Sequence, residues 1–166
     1  MMDHDDRTAI SRIYEESWRA AYRGIVPQEY LDGIPEGNWN SFFDTAGIET
    51  LLMLDGCRFI GTASYCQSRF GQAGNVGEVV SIYLLPRYMG KGCGKMLFRA
   101  VIDELEKMGY DEISLWVLEE NRRAREFYEK MGFHSSGQYM VDSIGGKAVK
   151  EIQYCRRIRE KGGGSD

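Results

Sequence analysis

Histidine and proline are scarce in this chain, with two of the former and three of the latter among 166 residues. The two histidines, His4 and His134, stand far apart, and the four cysteines, Cys57, Cys66, Cys93 and Cys155, form no C-x-x-C pair. Neither a zinc knuckle nor a disulfide framework follows from such spacing, and no metal site is expected. No apolar run reaches the length of a bilayer span, and the start Met1-Met2-Asp3-His4-Asp5-Asp6 is acidic where a targeting signal would be basic. A cytoplasmic protein with no membrane partner is expected. Positive charge is not in excess either, since 21 basic against 25 acidic residues leave a net charge of -4. A nucleic-acid binder held by phosphate neutralisation is thereby disfavoured.

What is present is ample apolar and aromatic content, 43% and 12%, enough for one buried core in a chain of this length. One domain is expected over residues 1–160, with the glycine-rich residues 161–166 as a flexible tail. Between residues 8 and 22, Ile10, Ile13, Tyr14, Ser17/Trp18 and Ala21 recur at spacings of three and four, which predicts a helix with one apolar face. Gly24 and Pro27 stop it, and residues 28–47 read as two short helical pieces. Two strand-like runs, 50–54 and 58–65, are split by Asp55-Gly56, a hairpin signal. Residues 78–85 are β-branched and apolar and end at Pro86, as a central strand should.

A helix over 92–108 is expected to bury Met96/Leu97, Ala100/Val101, Leu105 and Met108, with Gly109 beyond its end. A strand over 113–118, a short helix over 121–131 stopped by Gly132, and a strand over 147–155 complete the pattern. Such an order implies a mixed α/β sheet in one domain.

The stretch Pro86-Arg87-Tyr88-Met89-Gly90-Lys91-Gly92-Cys93-Gly94-Lys95 places three glycines between a buried strand and a long helix. Glycine lets backbone N–H groups converge on a ligand, and the helix start adds partial positive charge. The arrangement suits a pyrophosphate, with Lys91 and Lys95 adding charge; a tight strand-to-helix turn would also need glycine for structural reasons alone. Two commoner phosphate motifs fail on the same residues. A P-loop ending at Gly94-Lys95 needs glycine at 89 and a hydroxyl at 96, and both are methionine. A dinucleotide fingerprint from Gly90 meets Lys95 where its third glycine belongs.

The stretch resembles the acyl-CoA signature of the GNAT superfamily of N-acetyltransferases, Arg/Gln-x-x-Gly-x-Gly/Ala at a helix start after a central strand. Read with Gly92 and Gly94 as its glycines, it has Met89 where arginine or glutamine is usual. The resemblance continues in Ile82-Tyr83-Leu84-Leu85-Pro86 and in 121–133, similar to Asn-x-x-Ala-x-x-x-Tyr-x-x-x-Gly-Phe through Asn121, Ala124, Tyr128, Gly132 and Phe133. Trp18, Tyr22, Gly24, Pro27 and Leu31 are similar to the N-terminal helices of bacterial members that acetylate polyamines or other small amines. The family's usual strand before its first helix has no clear counterpart.

The resemblance implies a mostly antiparallel sheet flanked by helices and acetyl-CoA as donor. It implies cofactor contacts from the backbone of Tyr83 and Leu84, from the loop residues Met89, Gly90, Lys91, Gly92, Cys93, Gly94 and Lys95, and from Asn121. Tyr128 would protonate the departing sulfur, and Trp18 and Tyr22 would border the acceptor.

Acyl transfer to an amine needs the neutral amine, and an alkyl ammonium with a pKa near about 10 costs on the order of 4 kcal/mol to deprotonate at pH 7. Glu78, opening the central strand on the face of Val80, Ile82 and Leu84, is the candidate base through an ordered water; a solvated strand-end carboxylate is the plainer reading. Plainer readings also exist for Tyr128 as a core residue beside Phe127, for Asn121 as a helix cap, for Trp18 and Tyr22 as core, and for Cys93 as a small tolerated residue. Arg122, Arg123 and Arg125 read as a solvated helix face from which one could reach a phosphate, and His134 as a surface histidine.

Residues 1–50 carry ten acidic and four basic side chains, so a cationic acceptor is favoured if Asp3, Asp5, Asp6, Glu15, Glu16, Glu29, Asp32 and Glu36 line the cleft. The expected function is acetylation of a primary amine of a small metabolite such as a polyamine by direct attack. Alternatives are a protein N-terminal or lysine acetyltransferase and a non-catalytic acyl-CoA-binding regulatory domain, with a homodimer as the default assembly.

Overall fold

The computed structural model describes residues 4–71 and 74–158; the glycine-rich tail expected at 161–166 lies outside them. The elements are α1 (His4–Ala21), α2 (Gln28–Asp32), a 3₁₀ turn (Asn40–Asp44), β1 (Glu49–Asp55), β2 (Arg58–Gln67) and β3 (Val76–Leu84). A second 3₁₀ turn (Pro86–Tyr88), α3 (Cys93–Lys107), β4 (Glu112–Leu118), α4 (Arg122–Lys130), β5 (His134–Ile144) and β6 (Lys147–Arg157) follow. The six strands form one sheet in the order β1-β2-β3-β4-β6-β5, in which only β3 and β4 run parallel. The protein is a single mixed α/β domain with a mostly antiparallel sheet, and no strand precedes α1 among the described residues.

Opposite faces of the sheet are covered by α1 and by α3 with α4. The spacing of Ile10, Ile13, Tyr14 and Ser17 brings all four inside, and Ile13 packs with Ile60 and Leu85. Leu97, Phe98, Val101, Ile102 and Leu105 of α3 pack on Ala63, Val79 and Leu115 on the other face. Met96 and Met108, expected inside, are 66% and 52% exposed. The apolar stripe of α3 is turned toward Phe98 and Ile102, so residues at the stripe's far margin meet solvent.

Both hairpins turn on two residues. Asp55 pairs with Arg58, so the first loop is Gly56-Cys57 and Asp55 belongs to the strand. Ile144 pairs with Lys147 across Gly145-Gly146, both at positive φ, the backbone that a tight hairpin requires. Gly145 lies so close to α2 that a Cβ there would stand 2.7 Å from the Cβ of Tyr30. The β5–β6 hairpin is thereby docked on α2, with Ile144 joining Val26, Leu31 and Leu118 in a second small core.

Two features open the centre of the sheet. The β3–β4 ladder ends at Val79 opposite Leu115, beyond which the strands diverge. On the other edge of β3, Ser64 faces Ser81 while Tyr65 faces Val79, leaving Val80 as an inserted residue. Such a bulge bends its strand and reverses the alternation of side chains after it.

Candidate active site

The divergence of β3 from β4 creates a cavity of about 830 Å³ that reaches both faces of the sheet. On one side it is lined by Tyr83, Leu84, Met89, Gly90, Gly92, Gly94, Lys95, Asn121, Arg123 and Tyr128, drawn from β3, the following loop, α3 and α4. On the other it meets Trp18 and Tyr22 of α1, Arg69 and Phe70, Trp116 of β4, and Met140, Asp142, Ile144 and Glu151 of the last hairpin. Eight of the ten residues expected to hold a cofactor lie on this wall. Lys91 is exposed and Cys93 packs against the main core; neither lines the cavity.

The first wall fits an extended amide-bearing ligand that ends in a pyrophosphate. From Val80 to Leu84 the edge of β3 that faced β4 lower down has no strand beside it, so its backbone groups can pair with ligand amides as an added strand does. The first turn of α3 has no side-chain cap, which leaves its N–H groups open to an anion. Gly90 and Gly92 have φ of +74° and +85°. Gly94 instead sits within the first turn of α3 in ordinary helical backbone. The two glycines that need left-handed backbone therefore set the signature two residues earlier, as Arg87-Tyr88-Met89-Gly90-Lys91-Gly92, and Arg87 fills the position that the later frame gave to Met89. The Arg87 guanidinium lies over the Tyr88 ring, 5.5 Å from its centre. Lys95, Arg123 and Lys130 add cationic groups along this wall.

Glu78 is 1% exposed and not a solvated strand end. It accepts hydrogen bonds from Arg69 through the backbone N at 3.0 Å, Nε at 3.2 Å and a terminal guanidinium nitrogen at 2.7 Å. The Val80 bulge also separates it from its expected face. Val79, Ile82 and Leu84 pack in the core with α3, whereas Ser81 and Tyr83 bond Tyr14 and Trp18 of α1.

Three tyrosines border the crossing between the two walls. Trp18 Nε1 donates to the Tyr83 hydroxyl at 3.1 Å, and Tyr22 shares a hydrogen bond with the same hydroxyl. Burial pushes the Tyr83 phenol up to about 12 and the Tyr22 phenol well above the ordinary range. Burial, with a smaller effect of Tyr83, raises Tyr128 as well; its ring packs among Phe98, Phe127 and Phe133. All three phenols stay neutral at working pH and are able to donate hydrogen bonds. Trp18 and Tyr22 are thus core and cavity wall together, meeting edge to face at 4.7 Å.

Asn121 both caps and lines: its side chain accepts from Ala124 N at 3.2 Å, and it borders the cavity. Of the three arginines read as a solvated face, Arg123 lines the cavity and Arg125 is structural, donating to the Tyr154 hydroxyl and to the Glu119 carbonyl at 3.1 Å each. His134 is exposed at the start of β5.

Among the described residues, no acidic side chain of the first fifty lines the cavity. Glu15 is buried instead, accepting from Ser11 Oγ at 3.0 Å and Gly37 N at 2.8 Å, which ties α1 to the following loop. Four carboxylates line the cavity among the described residues, Glu78, Glu126, Asp142 and Glu151, and sequence reasoning misses the two on the last hairpin, Asp142 and Glu151. The usable signal is an acidic residue at the Val149–Glu151–Gln153 positions of a strand, which share one face.

Among the described residues, no cluster of three or more metal-ligating side chains occurs, and no helix is long and apolar enough to cross a membrane.

A split parallel pair beside a glycine-rich helix start suits an acyl-CoA-dependent transferase. Residues 8–133 match the Acetyltransferase (GNAT) family. The chain is 31% identical over 121 residues to the uncharacterised N-acetyltransferase YuaI of Bacillus subtilis, covering 70% of this chain and 69% of that protein. It is 24% identical over 156 residues to the spermidine N(1)-acetyltransferase of Thermoplasma acidophilum, covering 90% and 92%. Among solved structures, the PaiA N-acetyltransferase of Thermoplasma acidophilum in complex with coenzyme A superposes with a TM-score of 0.73 at 21% identity, over 94% of this chain and 95% of that one. The chain belongs to the GNAT family and is an acetyl-CoA-dependent N-acetyltransferase.

Proposed function

We propose that the enzyme acetylates a primary amine of a small polycationic metabolite, a polyamine or a close analogue, by direct attack on the thioester. The observation that carries this reading is the division of charge along one cavity. Lys95, Arg123 and Lys130 outnumber Glu126 toward α3 and α4, while Asp142 and Glu151 lie on the hairpin beyond the strand split, where Arg69 is paired with Glu78. A polyanionic donor fits the first end and a cationic acceptor the second. The likeness to a spermidine acetyltransferase over nearly the whole chain agrees with this choice.

In this reading acetyl-CoA supplies the activated acyl group. The edge of β3 and the Gly90–Gly92 turn hold its extended arm and pyrophosphate, and Asn121 borders that arm. Tyr128 donates a hydrogen bond to the sulfur as charge grows there. Trp18 and Tyr22 wall the acceptor against the hairpin. Glu78 is paired with Arg69 beside the acceptor end and holds that guanidinium in place. We place the enzyme in the cytoplasm, where four unpaired cysteines stay reduced.

The test is acetyl-CoA-dependent thiol release with spermidine, spermine, aminoglycosides, amino acids and peptides with free N-termini. Turnover is expected with the polyamines. Turnover confined to peptides would replace this reading with the protein N-terminal one.

A further inference from the structure

Glu78 is the base that the sequence suggests, but its two oxygens take three hydrogen bonds from Arg69. Such a carboxylate is poorly placed to accept a further proton. The cavity contains a second carboxylate without that clamp. Glu151 is half-buried on β6, opposite Met140 on β5, and Asp142, two residues on from Met140, shares its face. Glu151 lines the cavity together with Tyr22 and Tyr83 and makes no hydrogen bond or ion pair among the described residues. A half-buried carboxylate with no partner is costly, and an ammonium entering the cavity would supply the missing one.

We propose that Glu151 is the general base of the reaction, receiving the proton of the acceptor ammonium on the hairpin side of the cavity. The assignment rests on the amine-acceptor reading above. Glu151 accepts one proton from the ammonium, and the freed nitrogen electron pair forms the amide bond as the thioester C–S bond breaks. Tyr128 gives its phenolic proton to the leaving sulfur and is refilled by the second nitrogen proton. Glu151 then returns its proton to water.

The groups that face Glu151 decide its proton affinity. Burial raises it most, Asp142 from β5 raises it further, and Arg69 from the loop before β3 lowers it; the net direction is up. Tyr22 from α1 and Tyr83 from β3 feel its charge and remain neutral. A carboxylate raised in this way is a better base near neutral pH, because Brønsted behaviour favours proton affinity close to the working pH. The sign for stability is equally definite. A folded-state pKa above the unfolded one gives stability at low pH that is lost as pH rises through the folded value. At neutral pH the ionised Glu151 therefore weakens the fold, and removing its charge strengthens it.

The experiment compares Glu151→Gln, Glu151→Asp and Glu78→Gln in the full chain, with spermidine as acceptor and acetyl-CoA affinity measured by calorimetry. Glu151→Gln is expected to lower kcat by about 100-fold. It is also expected to flatten the acidic limb of the kcat/KM profile, leave the acetyl-CoA Kd within about twofold and raise the thermal midpoint at pH 7.5. Glu151→Asp should keep the limb. Persistence of the limb in Glu151→Gln, or its loss in Glu78→Gln, overturns the assignment while leaving the acceptor reading intact. A fall in both thermal midpoint and acetyl-CoA affinity in Glu151→Gln also overturns it, since that marks a structural role. A wild-type enzyme that binds acetyl-CoA and turns over no amine overturns the acceptor reading and this one with it.

Discussion

Tyr128 is held by the rings of Phe98, Phe127 and Phe133, and its hydroxyl makes no hydrogen bond among the described residues. A half-buried phenol left without a protein partner at a cavity wall is positioned for a ligand atom. Tyr128→Phe keeps the ring and removes only the donor. It should lower kcat by roughly 100-fold and leave acetyl-CoA affinity nearly unchanged, measured by steady-state kinetics and calorimetry on one preparation. Equal kcat in the two proteins would remove Tyr128 from the reaction. The same scale separates what individual residues disclose in the sequence from what they hide. Tyr128 is legible because its spacing from Asn121 and Gly132 forms a local pattern. Arg69 and Glu151 are not, because their significance arises from charges that β6, β5 and the loop before β3 bring to one cavity, which no local spacing records.

At the scale of elements, the start of α3 shows how backbone geometry corrects a motif. Gly92 lies at φ +85° with open space where a Cβ would project, so alanine there meets only backbone strain, on the order of 1–2 kcal/mol. Gly94 is helical, and a Cβ would stand 3.4 Å from Leu84 Cδ1, ordinary van der Waals contact. Alanine in a helix is favoured over glycine by roughly 0.5–1 kcal/mol. Gly92→Ala is therefore expected to destabilise the protein and Gly94→Ala to leave it unchanged or slightly more stable, read by urea denaturation. The reverse order would restore the later frame of the signature. Most elements are legible for a related reason: α1 and α3 each bury one face, which writes a period into the sequence, while β2 and β3 are covered on both faces and read as continuous runs bounded by turns. β5 escapes sequence reasoning although it is eleven residues long, because nearly all of His134–Ile144 is exposed and a strand without a buried face has no alternation. The Gly145-Gly146 pair after it is the one local sign of a hairpin. The Val80 bulge leaves no sign, and it moves Glu78 off its expected face.

Over the whole molecule, the proposed reading places the donor on the α3 and α4 side of the sheet's split and the acceptor on the side of α1 and the last hairpin. The net charge of -4 describes neither end. The acidic excess of the first fifty residues does not supply the acceptor end, since Glu15 is spent on tying α1 to its loop and Arg12 pairs with Glu16 at 2.8 Å. Asp142 is exposed at the acceptor end, whereas Glu151 is half-buried. Salt screens charges in contact with water far more than buried ones, with a Debye length of about 8 Å at physiological ionic strength. The two carboxylates should therefore separate in their response to salt. Raising sodium chloride from about 0.05 to 0.5 M is expected to increase KM for spermidine at least about threefold through loss of the exposed attraction. Over the same range kcat at saturating amine should hold nearly constant, because proton transfer occurs at the shielded group. Asp142→Asn should reproduce the high-salt KM at low salt and remove most of the remaining salt dependence. A KM that is indifferent to both salt and Asp142→Asn would mean that the polyamine's distal charges do not reach the hairpin, and the acceptor would then be held by shape against Trp18 and Tyr22.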